Sequence, residues 1–356
     1  MSTSTRNYWK NLGKLFQGNR LLHPLVVSYY PTTYCNFNCA YCEDFGARRN
    51  PQAVEPLPLT EAQQVLRVIR SGVDKLIFTG GEPLLYPHID ALILFAKQEL
   101  GFRQLTILTN GSLLHDHEAA LPHLDRVVIS LDTTDKAHWE SILNVSAGTI
   151  DTVFANLESY AKRQGEFGYQ MMVNCVVTPG TLAEAAGVLD FCLQHNILVS
   201  FSPQAVNNWP HYDLLVDDAY KAFLARLIDL KKSGAPILGS MAYLQTLLEF
   251  KPYSCHPTLV PRIASNGDLL YPCRPIEREG TRLGGRPCNL LEVTDWDEAI
   301  RIADQEYGPP PRLCTSCFQQ CYAEASLMQE APLQYLAELI RYPTSRKAGL
   351  ITYAPG

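Results

Sequence analysis

The sequence predicts an α/β protein: a partial (β/α)6 barrel of parallel strands with a small Cys-rich C-terminal domain. Three observations predict it. Short apolar runs between residues 25 and 230 alternate with longer helical patterns, the spacing of right-handed βαβ units on a parallel sheet. Six such units are too few for a closed eight-stranded barrel, so an open, partial barrel is the natural form. After about residue 233 Pro, Gly and Cys become frequent and strands become hard to find, which marks a second kind of unit.

Residues 1–24 read as a basic amphipathic arm. Arg6, Lys10, Lys14 and Arg20 occur with no acidic residue in the first 22 positions, and Tyr8, Trp9, Leu12, Leu15 and Phe16 fall at helical spacing. The arm either closes the bottom or edge of the barrel, burying Trp9 and Phe16 against the sheet, or makes weak peripheral contact with an anionic membrane. Residues 25–232 are the barrel. Its strands are expected at 25–30, 75–79, 104–109, 126–131, 170–178 and 198–204, and its helices near 60–71, 88–100, 149–163, 181–195 and 216–232. The first of these helices carries a capping signature, Thr60 with Gln63 three residues on, followed by apolar Val65, Leu66, Val68 and Ile69. Residues 233–326 form the cysteine-rich domain, broken by Gly308-Pro309-Pro310-Pro311 before its last cysteines. Residues 327–356 are a tail with one helix near 332–342.

Bulk properties exclude several classes. A chain of 356 residues suits one large domain plus a smaller one. A formal charge of −6 gives no basic field for nucleic acid. No run of about 18 apolar residues marks a membrane span, and the opening MSTSTRNYWK lacks the apolar core of a secretory signal. A cytoplasmic location is therefore expected. Thiols are kept reduced there, so eleven cysteines point to metal rather than disulfides. Eight of them form two groups: Cys35, Cys39, Cys42, and then Cys255, Cys273, Cys314, Cys317, Cys321. Cys175, Cys192 and Cys288 stand alone as core or loop thiols.

Cys35, Cys39 and Cys42 lie on one tight loop directly after the first strand. Three thiolates there can wrap one face of a [4Fe–4S] cubane and leave the fourth iron open. An electron-transfer ferredoxin would close that position with a fourth cysteine. Structural zinc would need a fourth ligand that no local Cys or His supplies. Thr79-Gly80-Gly81-Glu82-Pro83 ends the second strand. Its glycines let backbone approach a ligand, and Glu82 can pair with an ammonium group; alone, the tetrapeptide could be a turn. Period-two alternation puts Val128, Ser130 and Asp132 on one face of the fourth strand. It does the same for Met172, Asn174, Val176 and Thr178 in the fifth and for Ser200, Ser202 and Gln204 in the sixth, the polar faces being the lumen candidates. Met171, Val173, Cys175 and Val177 make the opposite, wholly apolar face.

The C-x3-C-x2-C spacing, the aromatic Tyr41 before the last cysteine and the Gly-Gly-Glu-Pro sequence resemble the radical S-adenosylmethionine (SAM) superfamily over about residues 25–326. The resemblance implies a cluster whose open iron chelates SAM and whose reduction yields a 5′-deoxyadenosyl radical. It also implies a flavodoxin- or ferredoxin-type electron donor. Gly80, Gly81, Glu82 and Pro83 would hold the SAM amino group, and Asn110 of Thr109-Asn110-Gly111, Ser130, Asp132, Asn174 and Tyr41 would join them around the cofactor. The second cysteine group resembles the auxiliary-cluster extensions called SPASM and twitch. That implies one auxiliary [4Fe–4S] cluster on Cys255, Cys273 and two of Cys314, Cys317 and Cys321, five candidates for four places. A structural zinc would be satisfied equally well by four cysteines.

By the same resemblance the substrate is a small natural product, a sugar or aminocyclitol, or a lipid. The 24 residues ahead of the first strand leave no room for the winged-helix leader-binding domain that peptide-modifying members often carry, which lowers the peptide-maturase alternative. A non-enzymatic iron–sulfur electron-transfer protein is the alternative of another class; the open three-cysteine site and Gly80–Pro83 speak against it.

Overall fold

The computed structural model describes residues 1–42, 45, 55–143, 145–206, 209–273, 288–311, 314 and 317–342. In chain order these form α1 (Thr3–Phe16), β1 (Val27–Thr32), α2 (Leu59–Gly72), β2 (Lys75–Gly80), α3 (Ile89–Leu94, continued by a π turn to Glu99), β3 (Gln104–Thr109) and β4 (Arg126–Ser130). There follow α4 (Lys136–Leu143), α5 (Thr149–Lys162), the single turn α6 (Gln164–Phe167), β5 (Gln170–Val177), α7 (Leu182–Gln194) and β6 (Leu198–Pro203). Next come a two-residue hairpin β7 (Ala205–Val206) and β8 (Trp209–Pro210), then α8 (Tyr212–Val216), α9 (Asp218–Lys232), α10 (Met241–Glu249) and β9 (Arg262–Ile263). The C-terminal helices are α11 (Trp296–Tyr307), α12 (Gln320–Glu330) and α13 (Pro332–Arg341).

The main sheet runs β6-β5-β4-β3-β2-β1-β9 and every neighbour is parallel. This is the expected open barrel, with one strand added. β9 pairs Arg262 and Ile263 with Ser28 and Tyr29 on the free side of β1, so the cysteine-rich segment is tied into the barrel sheet. Alternation sorts the strands as expected. Val127, Ile129, Met171, Val173, Cys175 and Val177 are buried on the helix side, with α7 packed on β5; α2 likewise buries Val65, Leu66, Val68 and Ile69 fully. At about 25 cal/mol per Å² of apolar area, this inter-layer burial is the main favourable term of the fold.

Three expectations change. The capping signature at Thr60 is not used: α2 starts one residue earlier, and its N-cap is Pro58, with no side-chain hydrogen bond. Proline's fixed φ positions the chain for the helix before Thr60 is reached. Helix α12 runs from Gln320 to Glu330, straight through the boundary expected at 326.

The third change is in α1, which closes the barrel base but with its polar side. Asp74 accepts hydrogen bonds from the Thr3 and Ser4 amides and the Ser4 hydroxyl, at 2.7, 3.0 and 2.5 Å. The Asn7 amide donates to the Pro24 and Gly72 carbonyls, and Asn11 exchanges two hydrogen bonds with the His23 backbone. These backbone groups need partners once covered, and Ser4, Asn7 and Asn11 supply them. Tyr8 is buried, while Trp9 and Phe16 are not: they are 58% and 95% exposed.

Candidate active site

Cys35, Cys39 and Cys42 follow the C-terminal end of β1. Main-chain amides already point at two of the sulfurs: Phe37 N–H donates to Cys35 Sγ at 3.4 Å and Phe45 N–H to Cys42 Sγ at 3.3 Å. Burial pushes the Cys35 thiol up to about 12 and Cys39 higher still. Bare thiols there stay protonated, and only a bound cation makes thiolates stable in such a place. The soft, half-buried donor set, with Cys39 in electrostatic reach of Cys35 and Cys42, therefore fits an iron–sulfur cluster.

The glycines of Gly80-Gly81-Glu82-Pro83 approach the cysteine loop rather than open space. Gly80 has φ +116°, and a Cβ on Gly81 would lie 2.1 Å from the Tyr34 carbonyl oxygen. Gly81 N–H donates to Thr32 O and Glu82 N–H to Tyr34 O. The Glu82 carboxylate is buried. It accepts from the amides of Leu84 and Asn110 and from the Thr109 hydroxyl, at 3.1, 2.7 and 2.8 Å. Burial pushes it up to about 7 against the downward pull of these bonds. Glu82 thus braces the end of β2 to the end of β3. Asn110 carries the brace on: its side-chain amide donates to Asn36 of the cysteine loop, and Asn36 donates to Ser112. Pro83 is buried in the single 3-10 turn that follows.

Tyr41 and Asp132 meet, phenol to carboxylate, and Asp132 also accepts from the Val176 amide at 2.8 Å. Burial pushes Asp132 up to about 6. This pair ties the loop before Cys42 to β4 and β5. Ser130 is half-buried at the end of β4, opposite Asn174 in register. Asn174 accepts from the Ser200 hydroxyl at 3.0 Å.

The lumen holds a cavity of about 400 Å³. Asn174, Val176, Met172, Ser200 and Ser202 line it, as alternation implied, with Val128; Ser130, Asp132, Thr178 and Gln204 do not. Sequence reasoning missed other wall residues, the polar and charged Arg126, Arg262, Gln319 and Glu324 among them. Arg262 spans the wall. Its guanidinium donates to Tyr30 Oη at 3.0 Å, Gln319 Oε1 at 3.0 Å and Cys321 Sγ at 3.1 Å, and lies 4.9 Å from the Tyr322 ring centroid. Gln320, Cys321 and Glu324 of α12 face the same cavity as β1 to β6. That helix supplies wall where six strands leave the barrel open.

The second cysteine group gathers behind this wall. The Cys255 amide donates to the Cys314 carbonyl at 3.0 Å. A hydrogen bond with the Cys314 thiol, and then burial, push Cys255 far up, with Cys317 and Cys273 in electrostatic reach. Burial also raises Cys317, which senses Cys321 and Cys273. Cys255 thus has Cys314, Cys317 and Cys273 in reach, and Cys317 has Cys321 and Cys273; Cys321 also faces the cavity and Arg262. Among the described residues no three His, Cys, Asp or Glu side chains converge as on a single ion. Cys175 and Cys192 are buried core thiols, and Cys288 is buried at the start of a loop.

Comparison with known proteins agrees with this geometry. Residues 29–192 match the Radical SAM superfamily model. The GTP 3′,8-cyclase of Mycobacterium marinum is 30% identical over 215 residues, 58% of each chain. That of Rhodococcus opacus is 28% identical over 227 residues, covering 60% of this chain and 62% of its own. The chain thus spans about three-fifths of the length of these curated relatives. Among solved structures, Streptococcus suis SuiB bound to S-adenosylmethionine superposes with a TM-score of 0.63 at 24% identity, over 84% of this chain and 70% of that one. The anSMEcpe structure with bound AdoMet gives 0.57 at 17%, over 89% and 98%. At such identities these two speak for the fold. Residues 29–192 thus carry a radical SAM domain, of the family whose members work with a [4Fe–4S] cluster and SAM.

Proposed function

We propose that the lumen is the reaction chamber for a small polar organic substrate, held between a SAM-binding cluster on Cys35, Cys39 and Cys42 and an auxiliary [4Fe–4S] cluster on the second cysteine group. One observation carries this reading: the same cavity is lined by Cys42 and by Cys321. When bound, the first cluster and SAM supply a 5′-deoxyadenosyl radical that removes a substrate hydrogen atom. The chain's own residues do the rest. The Glu82–Asn110–Asn36 chain of hydrogen bonds fixes the cysteine loop on β2 and β3, and Tyr41–Asp132 fixes it on β4 and β5. Ser28, Thr79, Thr106, Asn174, Ser200 and Ser202 offer hydroxyl and amide groups along the wall. The charged side chains of the wall are Arg126, Arg262 and Glu324, two cations to one carboxyl. The neutral hydrogen-bonding groups along the wall support a sugar or aminocyclitol over a lipid chain.

A second reading is favoured by the relatives: a nucleoside triphosphate, after the GTP 3′,8-cyclase named for the Mycobacterium marinum protein. Two lumen arginines offset by Glu324 are a thin counter-charge for a triphosphate, so it stands second.

The anaerobically reconstituted, reduced protein should convert SAM to 5′-deoxyadenosine. The triple Cys35→Ala, Cys39→Ala, Cys42→Ala variant should not, and it should keep about four of about eight irons per chain. One zinc and four irons in the wild type would sink the auxiliary cluster. A cyclised product from GTP would replace the first substrate reading with the second.

A further inference from the structure

Helices α1 and α13 present two uncovered apolar stripes at one end of the molecule. On α1 the exposed face is Arg6, Trp9, Lys10, Gly13 and Phe16, spaced as one side of a helix. On α13 it is Leu333, Leu336 and Ile340, at i, i+3 and i+7, which are 81%, 54% and 77% exposed. With Trp9 at 58% and Phe16 at 95%, these side chains are among the most exposed large apolar residues described. Single exposed apolar residues need no explanation, but stripes on neighbouring helices do.

Both helices rest on α12. Tyr8 of α1 donates through its hydroxyl to Met328 O at 3.4 Å and accepts at its carbonyl from Gln329 Nε2 at 3.2 Å. Tyr335, on the buried side of α13, lies within electrostatic reach of Tyr8. The end they share is the barrel base, because α1 is anchored at Gly72 and Asp74, just before β2. The cysteine loop follows the far end of β1, so the chamber mouth lies opposite.

We propose that this base docks on an anionic lipid bilayer. Trp9, Phe16, Leu333, Leu336 and Ile340 enter the boundary between headgroups and acyl chains, and Arg6 and Lys10 face lipid phosphates. Charge selects this occupant. The first 22 residues carry four cations and no acid, in a chain of net charge −6. Lys14 and Arg20 are spent on the carbonyls of Leu21 and Cys255; Arg6 and Lys10 are exposed beside Trp9. An anionic surface attracts this face and repels the acidic body, which fixes the orientation. Aromatic residues flanked by cations on a helix are the chemistry of a bilayer interface. Such docking is reversible and salt-sensitive, and it leaves the mouth open to solvent. It localises the enzyme without making the lipid its substrate.

The test is flotation of the full chain with phosphatidylcholine vesicles, with and without phosphatidylserine. The wild type should float only with phosphatidylserine, at low salt, and be released by high salt. The Phe16→Ser, Leu333→Ser, Ile340→Ser variant and the Arg6→Glu, Lys10→Glu variant should each bind about tenfold more weakly or worse. Both should keep the wild-type melting temperature, since the altered side chains are exposed. Failure of the wild type to float, or equal flotation by both variants, overturns the proposal. So does a dimer in sedimentation equilibrium that the serine variant dissolves, which would assign the face to a second copy of the chain.

Discussion

Replacing Gly81 with Ala perturbs the cysteine loop without touching a cysteine. A Cβ at this position would stand 2.1 Å from the Tyr34 carbonyl oxygen, 2.6 Å from its carbon and 2.7 Å from Thr33 O, where real Cβ atoms stay at least 3.0 Å away. These neighbours are backbone, so no side chain can rotate aside. The loop must retreat by about 0.9 Å, the shortfall at the closest contact, and Cys35 is the next residue along. Overpacking of this kind costs about 1–3 kcal/mol. A displacement near 1 Å in a positioned group costs about 100-fold in rate. Gly81→Ala should therefore lower urea-unfolding stability by that amount and cut 5′-deoxyadenosine formation about 100-fold. Gly13→Ala is the matched control. Nothing lies within 4 Å of its new methyl, and in the interior of α1 alanine should stabilise by about 0.8–1 kcal/mol with activity unchanged. Wild-type iron content and turnover in Gly81→Ala would refute the argument that the glycine pair exists to seat the cysteine loop.

The remaining predictions concern the buried charges. Burial pushes Asp74 up, but its hydrogen bonds from Ser4 and Thr3 outweigh this and hold the carboxyl below its usual range. Its contribution is thus present at neutral pH and lost as pH falls through that depressed value; Asp74→Ala should cost about 1–2 kcal/mol at pH 7 and flatten the acid limb of the stability curve. Glu324 behaves oppositely: burial raises it to about 7 from 4.5, so the unfolded chain ionises first and stability falls by about 3 kcal/mol between these values as pH rises. Urea melts across that range should show a shallower fall in Glu324→Gln; an identical slope would contradict the assignment. Lys231 is fully buried, donates to Ile237 O at 3.2 Å and lies 3.8 Å from Glu338. Lys231→Met should cost about 3 kcal/mol by taking away that carboxylate's cation and leaving it only hydrogen-bonded, as from the Met241 amide, and adding Glu338→Gln should recover much of it.

The barrel was legible because its strands are short apolar runs with period-two faces. Observed and expected strand ends agree to within two residues. The same period carried more than was taken from it: Arg126 shares its face with Val128 and Ser130, and the cavity lining bears that out for Arg126 and Val128. Other features left no local trace. β9 is two residues long and exists only because β1 offers a free edge. Arg262 belongs to no motif; it gains its place from Tyr30, Gln319 and Cys321, distant in sequence. In α1 the apolar stripe was the louder pattern, but Ser4, Asn7 and Asn11, at i, i+3 and i+7, decide which side is buried. A polar period that meets unpaired backbone carbonyls outranks an apolar one that meets nothing.

That α12 supplies a wall of the lumen has a consequence for the order of events on the ribosome. Cys42 is made 279 residues ahead of Cys321, an interval of roughly 14–56 s at about 5–20 residues per second. Over its last 118 residues, from Pro203 to Cys321, the nascent barrel has its six main strands but not its last wall, and the first three thiols face solvent through the gap. Iron delivery meets the least obstruction in that window, and adventitious oxidation does too. Once α12 docks, both routes narrow to the mouth. Starving cells of iron during synthesis should then leave a folded population that takes up metal far more slowly than chains loaded as they are made.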